Sequence, residues 1–154
     1  MSFDNSAVSS NHYEEDNKNN YITFCINLIN NSTNITNNDY IIKMLEEKGV
    51  NFKNSTGRTF ASMAAQSGNM LVLYILYSKG ANMSIPDMYG KTPVYFAASY
   101  GKLEALQFLV WTCSCDVNTT SSDDSLKTPL DAAMYYNHIN IIDFINFIIV
   151  NTKI

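Results

Sequence analysis

Positive charge is scarce in this sequence. Ten Lys and Arg residues stand against fourteen Asp and Glu, the formal net charge is −4, and Arg58 is the single arginine. A chain that neutralises phosphates needs a basic stripe, so no nucleic-acid partner is expected. Long apolar runs are also lacking. The longest, "INIIDFINFIIV", is interrupted by Asn140, Asp143 and Asn146. It falls short of the roughly 18 residues that cross a bilayer, so no membrane insertion is expected. The opening stretch "MSFDNSAVSSNHYEED" has neither the basic nor the apolar region of a secretory signal. Cysteine and histidine are few: Cys25, Cys113, Cys115, His12 and His138. An odd cysteine count without a signal points to free thiols in a reducing compartment, hence to a cytoplasmic chain, with the nucleus left open and a host cell if the chain is a pathogen's. Cys113 and Cys115 have no second Cys/His cluster to complete a zinc site and read as small buried side chains. No metal and no cofactor are expected.

What is present is apolar content of 46% over 154 residues, enough for one domain with a real core. Residues 1–20 are polar and read as disordered. From Tyr21, Ile22, Cys25, Ile26 and Ile29 recur at helical spacing and predict a helix. "NNSTNITNND" reads as a loop, and "YIIKMLEEKG" as a second helix, with Asp39 its N-cap and Gly49 just past its end.

The decisive pattern is an internal repeat. "GRTFASMAAQSGNMLVLYIL" starts at Gly57, "GKTPVYFAASYGKLEALQFL" at Gly90 and "LKTPLDAAMYYNHINIIDFI" at Leu126. Thr59, Thr92 and Thr128 align, as do Ala64, Ala97 and Ala133, then Gly68, Gly101 and Asn137. Each threonine suits an N-cap, and Pro93 and Pro129 suit the first helical position, where a missing N–H costs nothing. The alanines let helices approach closely. Gly68, Gly101 and Asn137 suit a left-handed helix end. The second helix of each unit supplies an apolar face: Leu71, Val72, Ile75 and Leu76 in one, Leu103, Leu106, Leu109 and Val110 in the next. One unit cannot bury that face alone, so the units must stack.

A period of 33 residues with G-x-T-P-x-x-x-A-A-x-x-G and a closing Gly-Ala-Asn resembles the ankyrin repeat, most closely over residues 80–118. The resemblance implies an all-α solenoid of stacked helix-turn-helix units with β-hairpin-like finger loops. It places the repeat domain at 21–154, in repeats of about 21–54, 55–87, 88–123 and 124–154. The family's histidine in T-P-L-H is replaced by Ser62, Tyr95 and Asp131, and Phe60 replaces a proline. A weaker hydrogen-bond link between repeats is therefore expected. The finger from Gly49 to Gly57 is shorter than that from Gly80 to Gly90, and the last, "DVNTTSSDDSLKTP", is longer and has Leu126 where the others have glycine.

The Gly90-Lys91-Thr92 triplet is not a phosphate loop, because Ile85 stands where a second glycine is needed and no buried strand precedes it. Asp123, Asp124, Asp131 and His138 lack an adjacent nucleophile and read as structural, so no enzyme activity is expected. The family's mode of action implies instead a concave binding face for another protein. By register that face comprises Arg58, Gln66, Met88, Tyr89, Lys91, Ser99, Tyr100, Asp124, Lys127, Tyr135 and Tyr136, with Ser55, Thr56, Ser67 and Ser125 beside them. Tyr89, Tyr100, Tyr135 and Tyr136 are expected to cluster, and tyrosine and arginine dominate interface hot spots. Trp111 is expected to pack beneath "CSCDVNTTSSDDS". The apolar helix 139–150 is expected to leave an apolar outer side, a candidate homodimer contact. About four repeats is similar in length to ankyrin-type inhibitors of cyclin-dependent kinases and to small viral inhibitors resembling those of NF-κB. The implied role is thus a scaffold, inhibitor or regulatory subunit. The alternatives are a regulatory module of a larger enzyme or complex and a pathogen modulator of host signalling.

Overall fold

Short apolar helices alternating with polar fingers set the architecture. The computed structural model describes residues 35–152, with side chains from Ile42 onward. The segment 1–20 and the helix expected from Tyr21 lie outside the described residues. Among the described residues seven α-helices follow in order. They are α1 (Ile35–Lys48), α2 (Phe60–Ser67), α3 (Met70–Ser78), α4 (Pro93–Ser99), α5 (Leu103–Gln107), α6 (Pro129–Tyr135) and α7 (Ile139–Thr152). A π-helical segment, Phe108–Thr112, continues α5.

The start of α1 corrects the sequence reading. The helix takes in residues 35–39 of the expected Asn-rich loop, so Asp39 lies inside it rather than at its N-cap. Asparagine only weakly disfavours helix, and a helix anchored by the buried Met44 and Leu45 extends through it. The later helices start as expected. Thr59, Thr92 and Thr128 accept from the backbone N–H three residues on, and Pro93 and Pro129 open α4 and α6. Gly68, Gly101 and Asn137 end the first helices at φ of 72°, 67° and 58°.

Two rows of helices result. The inner row stacks α2 on α4 and α4 on α6; the outer row carries α3, α5 and α7. Ala64, Ala65, Ala97, Ala98, Ala132 and Ala133 are fully buried between the rows. Phe60, Leu73, Leu76, Leu106, Leu109, Ile141 and Ile145 fill the remaining space. Each such large side chain contributes about 1.5–3 kcal/mol on burial. Leu71, expected in the core, is 40% exposed, and Leu73 is buried instead. The face of α3 turned inward is Val72, Leu73 and Leu76, one step round from the stripe expected.

Trp111 also departs from expectation. It does not lie under the long finger: it stands edge-on to Phe144 of α7, with ring centroids 5.0 Å apart, and stays 59% exposed. Residue 111 belongs to the outer row, and the next outer helix is its nearest apolar surface. The outer side of α7 is mixed rather than apolar. Ile139, Phe147 and Val150 are exposed among exposed Asn140, Asp143, Asn146 and Asn151.

The fingers are hairpin-like, with an antiparallel bridge between Lys53 and Thr59. One acidic or amide side chain holds each fingertip. Asn54 Oδ1 accepts from the N–H of Thr56 and Arg58, and Asp87 Oδ1 from those of Tyr89 and Lys91. Asp123 Oδ1 accepts from the N–H of Ser125 and Leu126. Adjacent fingers bond through the backbone: Met88 N–H donates to Thr56 O (3.0 Å) and Ser122 N–H to Tyr89 O (2.8 Å). Neither of these links needs the missing histidine.

Candidate functional site

Three first helices, side by side, present one face together with their fingers. Where the family's histidine is absent, the substitutes take different tasks. Ser62 pairs with the N-cap Thr59 through their hydroxyls, 3.3 Å apart. Asp131 closes a capping box by accepting from Thr128 N–H at 2.9 Å. Tyr95 reaches further, its hydroxyl donating to Leu126 O in the next finger at 3.1 Å. The Thr92 and Thr119 hydroxyls add a bond from α4 to the long last finger at 3.2 Å. The expected weakening of inter-repeat links therefore does not hold between the third and fourth units.

Charge on this face is arranged differently in successive units. Lys91 Nζ lies 3.4 Å from Asp123 Oδ2 and 5.0 Å from the centroid of the Tyr95 ring. Burial pushes the Tyr95 hydroxyl above the usual tyrosine range, and the Lys91 charge opposes that shift. The bonds from Leu126 and Ser125 N–H hold the Asp123 carboxyl below the ordinary carboxylate range, with Lys91 assisting. Arg58, one repeat earlier at the position of Lys91, lies with its guanidinium carbon 4.1 Å above the Phe96 ring centroid. Its Nη2 donates to Gln66 Oε1. Burial lowers the Arg58 pKa, partly offset by Tyr100 and Asp87.

The exposed large side chains of this face divide into two groups. Met88 and Tyr89 are exposed on a fingertip at the N-terminal side of α4. Tyr100, Tyr135 and Tyr136 stand at the C-terminal ends of α4 and α6, 51%, 70% and 51% exposed. A seven-residue helix, about 10 Å long, separates the groups. The expected single tyrosine cluster is thus two patches along one face. At the helix-end patch an open pocket of about 280 Å³ is lined by Ser99, Tyr100, Tyr136 and His138. Tyr136 is edge-on to Tyr135 with centroids 5.0 Å apart and stacks beside His138 at 6.2 Å. His138 Nε2 lies 3.0 Å from Ser99 O, and since a carbonyl only accepts, Nε2 carries the proton. Asp124 and Lys127 are exposed on the last finger.

Among the described residues no three His, Cys, Asp or Glu side chains assemble as metal ligands, and no helix is long and apolar enough to cross a membrane. Cys115 is buried, donating to Met83 O at 3.4 Å and accepting from Ser84 Oγ at 3.3 Å. Burial raises its pKa and pushes that of Cys113 to about 11, so both favour the thiol form. Sequence reasoning missed the platform role of Phe96 and the fingertip anchors. The anchors left a signal, since Asn54, Asp87 and Asp123 each stand three residues before Gly57, Gly90 and Leu126.

Comparison with known proteins agrees with this geometry. A family model described as ankyrin repeats (3 copies) matches residues 32–121. A transient receptor potential cation channel subfamily A member 1 homolog of Caenorhabditis elegans is 33% identical over 92 residues, 60% of this chain and 7% of that protein. Ankyrin repeat protein nuc-2 of Neurospora crassa is 30% identical over 82 residues, 53% of this chain and 8% of that protein. A putative ankyrin repeat protein of Rickettsia bellii is 37% identical over 60 residues, 39% of this chain and 36% of that protein. The chain thus spans a small part of the first two relatives and about a third of the last. Tandem motif, two-row helix stack and family match fall in one register, and on that agreement the chain belongs to the ankyrin-repeat family.

Proposed function

We propose that this chain binds a partner protein through its inner-helix and finger face, as a non-catalytic scaffold, inhibitor or regulatory subunit. Ankyrin repeats are a protein-interaction fold, which supports the general statement. The observation that carries the finer one is the group of exposed tyrosines, Tyr100, Tyr135 and Tyr136, around an open pocket at the ends of α4 and α6. Tyrosine gives large contact area at low entropic cost and stands among the residues that dominate interfaces. Met88 and Tyr89 form a second anchor on the finger. The test is capture of partners from cognate lysate, identified by mass spectrometry, beside a Tyr100→Ala/Tyr136→Ala variant with unchanged circular dichroism. A loss of about 2 kcal/mol or more, some thirtyfold in affinity, is expected for the identified partner. Unchanged affinity would remove this face from consideration.

A module acting beside other units is the second reading. It is favoured by two relatives in which the matching stretch is 7% and 8% of the protein. Self-association through α7 rests on the exposed Ile139, Phe147 and Val150, and light scattering at high concentration tests it. Cytoplasmic placement rests on the sequence argument from free thiols.

A further inference from the structure

Among the described residues, Arg58 Nε is the one buried side-chain nitrogen or oxygen without a hydrogen-bond partner. Its guanidinium is half-buried above Phe96, yet neither ion pair found among the described residues includes it; those are Lys91–Asp123 and Lys79–Glu46. Its Nε is shut off from solvent and has no acceptor, and Nη2 meets only the neutral amide oxygen of Gln66. The nearby carboxylate, Asp87, directs its Oδ1 to the backbone N–H of Tyr89 and Lys91. The contrast with the next repeat is informative. Lys91, at the same repeat position, also lies over an aromatic ring but has the carboxylate of Asp123 beside it. One unit completes its cation from within the chain, while its neighbour leaves the cation open on the face that carries Tyr100.

We propose that the partner presents an aspartate or glutamate side chain to Arg58, displacing the Gln66 amide and pairing with the guanidinium above Phe96. The inference rests on the inner-face reading above and names the chemistry that face recognises. A planar guanidinium offers five N–H donors in a fork that matches a carboxylate, and charge-assisted bonds are about twice as strong as neutral ones. The Phe96 ring below holds the guanidinium plane in place, so little entropy is lost when the carboxylate arrives. Gln66 is half-exposed and can swing aside.

Two measurements on the full chain test this. The first needs no partner. Gln66→Glu supplies the missing carboxylate from within, so the thermal midpoint is expected to rise by about 2–4 °C. The rise should vanish in an Arg58→Met background. No rise, or a rise that persists without Arg58, overturns the incomplete-cation premise. The second uses a displayed library of random twelve-residue peptides, which carries carboxylates but no phosphate. Selected binders are expected to contain an Asp or Glu whose change to Asn or Gln weakens binding about tenfold. That sensitivity should disappear against Arg58→Met and be reduced against Gln66→Glu, both checked for folding by circular dichroism. Binders that lose affinity with Tyr100→Ala but ignore Arg58→Met overturn this inference and leave the inner-face reading standing. Binders indifferent to both, or no binders at all, overturn both.

Discussion

Gly101 shows how one residue joins two repeats. Its φ of 67° is left-handed, and a Cβ there would stand 2.8 Å from His138 Nδ1, on a ring held by its bond to Ser99 O. Gly80 is also left-handed, at 77°, but has nothing within 4 Å of its Cβ position. Both glycine-to-alanine changes cost about 1–2 kcal/mol of backbone strain. Gly101→Ala is expected to cost about 1–3 kcal/mol more from overpacking, read as a lower midpoint in chemical denaturation. A His138→Ala partner mutation should recover that excess. Asp123 gives the pH dependence at this scale. Its carboxyl is held below the ordinary value, so its contribution is present above the unfolded pKa of about 4 and is lost as pH falls through the lower folded value. A carboxyl carbon NMR titration should place the Asp123 midpoint below the ordinary aspartate value of about 4. Lys91→Met should move it back up.

Among the elements, the pairing of the π-helical segment with α7 carries its own optical reporter. Trp111 is the only tryptophan and touches Phe144, which is 8% exposed. Phe144→Ala should cost about 3–5 kcal/mol and change the tryptophan emission before global unfolding, as α7 loosens first. This element also shows where the sequence could and could not be read. The helix starts at Thr59, Thr92 and Thr128 and the ends at Gly68, Gly101 and Asn137 were legible because they are local: one side chain or one φ decides each. The stacking of repeats was legible because apolar faces recurred without partners. Which side of α3 turns inward, and where Trp111 lands, depend on the rotation of one helix against the next, and a stripe of apolar letters does not encode that angle. The same holds for the site. The separation of Tyr89 from Tyr100 by the length of α4 follows from helix geometry rather than from register. Arg58 and Lys91 hold the same repeat position, but their rings (Phe96 and Tyr95) and the Asp123 carboxylate beside Lys91 are set by how the units pack, which register alone does not show.

For the whole molecule, a stack in which each unit touches only its neighbours distributes stability from the middle outward. The inner helix α4 has partners on both sides, α2 and α6. Its amides are expected to exchange most slowly, with α1 and the end of α7 fastest, in native-state hydrogen exchange. Equal protection throughout would instead indicate a single cooperative unit. The fingers add a consequence of another kind. Thr56 to Met88 and Tyr89 to Ser122 are joined through main-chain atoms, so the rungs between repeats are indifferent to which side chains the fingertips carry. Met88 and Tyr89 can therefore change without breaking these rungs, while Thr59, Thr92 and the buried alanines keep the frame. The fingertip surface and the fold are thus inherited on separate sets of letters, which lets one vary without first losing the other.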